Sequence, residues 1–194
     1  MSGTARLMRL APPAAAPQER CELCGAPIGP EHRHLLELAT RGVRCACRPC
    51  SILFDGGETR YRLIPDRRLA LDGFELDDAL WEELRLPVDV AFFVGGKAFY
   101  PSPMGPTESL LELEAWEALE ARNPILRTLE PDVEALLVNR VKGARRYWIV
   151  PVDDCFALVG LIRTHWRGLT GGREVWAELG RFYERLDRMA RSAG

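Results

Sequence analysis

The spacing of apolar residues changes several times along this chain, and each change predicts an element. Val88 to Val94 is an almost unbroken apolar run. It is followed by Gly95-Gly96 and a second short run, Ala98 to Tyr100, which together predict a β-hairpin. Ala135 to Val141 and Arg145 to Val150 flank Lys142-Gly143-Ala144 and predict another. Arg60 to Ile64 is read as a single strand. Elsewhere the period is helical. Asp77 to Leu84 places Leu80, Trp81 and Leu84 on one face, and Leu113 to Ala121 opens with acidic residues that suit a helix N-terminus. Pro151-Val152-Asp153 starts a helix that runs to about Trp166, with Asp153 the expected N-cap and Cys155, Leu158, Val159 and Ile162 turned inward. Glu174 to Ala190 aligns Val175, Trp176, Leu179, Phe182, Leu186 and Met189 on one stripe. No internal repeat is visible. The pattern predicts an α+β domain, an antiparallel sheet with helices packed on one face.

The N-terminal third reads differently. Residues 1–18, with the Ala/Pro stretch Ala11 to Pro17, are expected to be a disordered tail. Residues 19–54 form a small zinc-ribbon-like module in which Leu35 to Ala39 and Val43 to Cys45 are short strands turned at Thr40-Arg41-Gly42. Residues 55–194 form the α+β domain.

Five of the six cysteines lie in that module, as Cys21-x-x-Cys24 and Cys45-Ala46-Cys47-Arg48-Pro49-Cys50. Cys21/Cys24 and Cys47/Cys50 are two C-x-x-C hooks with twenty-two residues between them, close to the spacing of a four-cysteine metal ribbon. Such a segment is too small to bury a core of its own, and metal binding energy supplies what burial does not. Four thiolates suit tetrahedral Zn²⁺, with a single iron as the alternative, and five cysteines leave room for an iron–sulfur cluster. The expected ligands are Cys21, Cys24, Cys47 and Cys50. Cys45, His32 and His34 stand as substitutes for one of them. Cys24-Gly25 has the form of a zinc knuckle, because glycine permits the sharp turn that aims backbone N–H groups at sulfur. Pro49 stiffens the second hook and removes one donor. The glycine and aromatic packing that rubredoxin sites place around each hook is only partly matched.

Composition narrows the class. The chain is 47% hydrophobic and 28% charged, as expected of one globular domain with an appendage. It has no apolar run long enough to span a membrane and no signal-peptide core, so a cytoplasmic location is expected. In that reducing setting clustered C-x-x-C hooks favour metal over disulfides. The net charge of −2 is unevenly spread, at +3 over residues 1–50, −10 over 51–139 and +5 over 140–194. The acidic middle opposes general nucleic-acid binding, although Arg20, Arg33, Arg41, Arg44 and Arg48 surround the ribbon.

Other constellations carry less. Tyr100 to Ser109 is a loop dense in Pro, Gly and hydroxyls between a strand and a helix, suited either to holding an anion or peptide or to serving as a rigid connector. Asn139 to Arg146 is a basic hairpin, read either as a contact for an acidic partner or as a charged sheet edge. Cys155 lies on an apolar helix stripe and is expected to be a core thiol, with His165 at a different angle on the same helix. No carboxylate pair, HExxH or GxSxG motif argues for an enzyme.

Six segments carry a resemblance. They are Arg20 to Gly25, Cys45 to Cys50, Phe99 to Pro103, Thr107 to Leu111, Glu134 to Arg140 and Gly160 to Gly168. Together they resemble a bacterial family often encoded beside the high-affinity uptake nickel–iron hydrogenase of aerobic soil bacteria, over about residues 19 to 190. The resemblance implies an accessory role in hydrogenase assembly or electron transfer, with a hydrogenase subunit or maturation intermediate as protein partner. A rubredoxin-like helper is one form of that role. The resemblance implies no catalytic residues.

Overall fold

A computed structural model describes residues 18–55, 60–109, 113–168 and 171–193. The expected tail lies almost wholly outside the described residues. The architecture is α+β, with a three-stranded and a seven-stranded sheet.

The small sheet comes first. Strands β1 (Arg33–Glu37) and β2 (Gly42–Ala46) form an antiparallel hairpin in which His34 faces Cys45 and Leu36 faces Val43. Helix α1 (Arg48–Leu53) follows, and strand β3 (Tyr61–Leu63) pairs with the other edge of β1. The large sheet has the order β10-β4-β9-β8-β5-β6-β7. Its strands are β4 (Leu69–Leu71), β5 (Val90–Val94), β6 (Lys97–Ser102), β7 (Gly105–Glu108), β8 (Glu134–Asn139), β9 (Arg146–Pro151) and β10 (Arg191–Ala193). Neighbours run antiparallel except β10, which is parallel to β4. Helices α2 (Asp78–Glu83), α3 (Leu113–Arg122), α4 (Val152–His165) and α5 (Gly172–Met189) complete the fold. Among the described residues, no helix is long and apolar enough to cross a membrane.

Both faces of the large sheet are covered, a correction to the one-sided arrangement expected. Phe92, Val94, Leu137, Trp148 and Val150 pack with Leu158 and Ile162 of α4 and Val175, Leu179 and Phe182 of α5. The alternate residues Ala91, Phe93, Leu136, Val138 and Ile149 pack with Leu80 of α2, Leu119 of α3 and Leu126. Every residue of β5 and β8 is buried. A strand apolar at successive positions needs a cover on each side, since neighbouring side chains leave opposite faces.

Two local expectations also change. Asp77 caps α2 by accepting the Leu80 N–H at 2.8 Å, but Asp153 caps nothing. Helix α4 begins two residues earlier, after Pro151, and leaves the Asp153 carboxylate free to reach the small module. Tyr100 to Ser109 is mostly strand, forming the β6–β7 hairpin instead of an open loop. Ser102 Oγ donates to Gly105 O at 2.9 Å and accepts the Met104 N–H at 3.2 Å and the Thr107 hydroxyl at 3.1 Å. The Ser102 and Thr107 hydroxyls thus close the turn, and the segment is the rigid connector.

The module is seated on the domain through β1. Leu35 points into the module's own core while its neighbour Leu36, with Ile64, belongs to the core beneath α4 and α5. Arg41 pairs with Asp132 at 2.5 Å and Arg62 Nη1 donates to Pro131 O at 2.7 Å.

Candidate metal centre

The first hook is built as a knuckle. Gly25 sits at φ +74°, its N–H donating to Cys21 O at 2.8 Å, and Cys21 N–H donates to Ala26 O at 2.8 Å. A β-branched or bulky residue at that φ is strained, which accounts for glycine there. Glu22 then fastens the hook to β2: its N–H donates to Cys45 O at 2.9 Å and its carboxylate accepts the Cys45 N–H at 2.6 Å.

The second hook has a different construction. Cys47 is the residue preceding α1, Cys50 lies in the first turn, and Ser51 N–H donates to Cys47 O at 2.9 Å. Pro49 fits because the N–H groups of a helix's first turn have no intrahelical acceptor to lose. The two hooks are therefore one knuckle and one helix start.

These two devices bring the sulfurs of Cys21, Cys24, Cys47 and Cys50 within 4.8 Å of one another. Cys24 and Cys47 are 3.6 Å apart, sulfur to sulfur. Cys21 and Cys50 are buried, Cys47 is half-buried and Cys24 is exposed, so the cluster lies at the surface with two thiols rooted in the module. Burial works against ionising Cys21, but N–H groups of Cys47, Leu23 and Cys24 directed at its sulfur bring its pKa down to about 6. Burial, and then the neighbouring thiols, push Cys50 far upward. At Cys24 the Ala26 N–H favours the thiolate, but Cys21 and Cys47 outweigh it and raise the pKa. Four crowded sulfurs, one of them easily ionised, are a donor set for a cation that displaces the remaining protons. The four-cysteine cluster could hold a metal ion.

The substitutes take another place. Cys45, His32 and His34 group with one another, each offering a ligand atom within 4.8 Å of the others, apart from the four thiols. Burial, then Glu22 and Glu19, raise the Cys45 thiol pKa. His34 donates from Nδ1 to Asp153 Oδ2 at 2.6 Å, a bond that raises its pKa against the opposing effect of burial.

The other candidates are absorbed into the fold. Arg140 and Arg145 both pair with Asp78, and Arg146 pairs with Asp187 at 2.5 Å, so three charges of the basic hairpin are satisfied internally. Around the module, Arg33 pairs with Asp66, Arg41 with Asp132, and Arg44 with Glu22 and Glu37. Cys155 is fully buried under α5 and its thiol is pushed up by burial, while His165 pairs with Glu174 at 3.1 Å.

No curated protein and no solved structure matches the chain. A family model described as a family of unknown function, DUF5947, matches residues 20–190. That match spans the module and the domain alike, and the chain therefore belongs to this family.

Proposed function

We propose that the protein is a non-enzymatic accessory protein in which Cys21, Cys24, Cys47 and Cys50 hold a structural zinc ion and the α+β body presents the module to a protein partner. One observation carries the metal reading: four thiols converge in a module whose own core, among the described residues, has Cys21, Ile28, Leu35, Ala46 and Cys50 as its buried members. Two of these are the cysteines themselves, so the segment has little apolar surface to hold it without an ion. Zinc is favoured over iron by the asymmetry of the hooks. The second has no glycine turn, and Pro49 supplies no N–H toward sulfur, whereas redox-active thiolate sites depend on such bonds to tune their potential.

Docking is supported by Ile52 and Leu53, which stand 67% and 72% exposed on α1, two and three residues after Cys50. The resemblance of the six segments supports a nickel–iron hydrogenase subunit or maturation intermediate as that partner. Deleting the gene should lower hydrogenase maturation while the purified protein turns over no substrate. Undiminished maturation in the deletion strain contradicts the partner. The electron-transfer alternative rests on the same donor set. It requires thiolate-to-iron absorption bands and reversible cycling in protein purified without air, where the zinc reading requires a colourless protein.

A further inference from the structure

We propose a second divalent-cation site, formed by His32, His34 and Cys45 and sharing no ligand with the four-thiol cluster. The register of the β1–β2 hairpin creates it. His34 and Cys45 are directly opposed across the antiparallel pair, so their side chains leave the same face. His32 lies two residues before His34 and joins that face. The two imidazoles meet edge to face with centroids 4.9 Å apart, and one ligand atom from each of the three residues lies within 4.8 Å of the others.

Both rings are oriented as ligand imidazoles are. His32 donates from Nδ1 to Gly29 O at 2.8 Å, with Glu19 Oε2 a further 3.6 Å contact. His34 donates from Nδ1 to Asp153 Oδ2 at 2.6 Å. A carbonyl and a carboxylate can only accept, so each Nδ1 carries a hydrogen and each Nε2 is the nitrogen free to coordinate. Backing a ligand histidine with an oxygen acceptor is the usual way proteins fix its tautomer and aim its other nitrogen at a metal.

A second observation points to a missing ligand. The His32 side chain is 9% exposed, and its Nε2 is buried with no hydrogen-bond partner among the described residues. Buried polar atoms are nearly always satisfied, and an orphan needs a reason. A cation taking the Nε2 lone pairs and the Cys45 thiolate supplies one. Two imidazoles and one thiolate suit a borderline divalent ion such as Zn²⁺ and leave a fourth position open. Ligands of a tetrahedral zinc stand about 3.3–3.8 Å apart, so modest side-chain rotation closes the cluster. The site joins β1 and β2 of the module to the first turn of α4, and an ion bound there would lock the module onto the domain.

Zinc and cobalt titration of the full reduced chain, with elemental analysis after dialysis, tests this. Wild type should retain two equivalents. His32→Gln and Cys45→Ser should each retain one, with the four-sulfur cobalt spectrum unchanged and the far-ultraviolet circular dichroism of the folded chain preserved. Asp153→Asn should bind the second ion about 10- to 100-fold more weakly, as loss of a backing carboxylate does. One equivalent in wild type, held by four sulfurs, overturns the proposal, as do two equivalents retained in both His32→Gln and Cys45→Ser. One equivalent lost in His32→Gln but kept in Cys47→Ser instead places the ion here and removes it from the four-thiol cluster.

Discussion

The two sheets of this protein are held together by different physics. The large sheet buries Phe92, Leu137 and Trp148 on one face and Phe93, Leu136 and Ile149 on the other, each against a helical layer. The small sheet has on one face a shallow core, in which Cys21 and Cys50 sit with Ile28, Leu35 and Ala46, while Leu36 on its other face joins the core of the large sheet. The first needs only water to stay folded, because burial of apolar surface is its driving force. On the proposed reading, the second concentrates its cohesion in four sulfurs and a few ion pairs, so that its stability would depend on a ligand and on pH. On that reading the chain combines a self-sufficient body with a conditional head.

The sharpest way to separate the two is to remove the proposed metal. Structural zinc contributes on the order of 10 kcal/mol or more at neutral pH, so chelation or Cys47→Ser should abolish amide-exchange protection in β1 and β2. Protection in β5 and β8 should persist. Simultaneous loss in both sheets would mean that the regions are one cooperative unit.

The reverse experiment attacks the body. Phe93 is fully buried, and Phe93→Ala should cost about 3–5 kcal/mol in denaturant unfolding of the large sheet while metal content stays at the wild-type value. A fall in bound metal would show that the contact of Leu36 and Ile64 with the body core couples the two regions.

Acid should distinguish them next. Glu37 is buried between Arg44, Arg60 and Thr40. The hydrogen bonds from Arg44, then from Arg60 and Thr40, bring its carboxyl from an ordinary 4.5 down to about 2. A depressed carboxyl stabilises the fold above its ordinary value, so this contribution is complete above about pH 4.5 and fades as pH falls toward 2. Protection of β1 should show this dependence, and Glu37→Gln should flatten it. An unchanged acid profile in the variant would assign the dependence to other groups.

The smallest effect belongs to Cys155. It lies in the core of the body and belongs to neither cluster, and Cys155→Ala should cost about 1 kcal/mol with no change in bound metal.

How well each region could be read from sequence follows from the same contrast. Gly95 and Gly96 adopt φ of +57° and +75° between β5 and β6, and a Gly-Gly pair between apolar runs announces such a turn. The cysteine spacing announced the four-thiol cluster. Strands β4 and β10, of three residues each, are too short to show a period and owe their place to pairing with β9 and with each other. Pro101 and Pro106 disguised the β6–β7 hairpin; they face one another in register, beyond the β5–β6 pairing and next to the sheet edge, where a missing N–H is tolerated. The second helical layer was visible in Ala91-Phe92-Phe93-Val94, because an unbroken apolar run implies burial on both faces. The His32, His34 and Cys45 cluster was not visible as a cluster, since it exists only once the turn at Thr40 to Gly42 fixes which residue opposes which.

The central claim is that a thiolate-bound ion, and not apolar burial, holds the head in shape. Reduced, anaerobically purified full-length protein should be colourless, contain zinc coordinated by sulfur, and lose β1–β2 amide protection on chelation while β5 and β8 remain protected. A head that stays equally protected with no ion on Cys21, Cys24, Cys47 and Cys50 would contradict it.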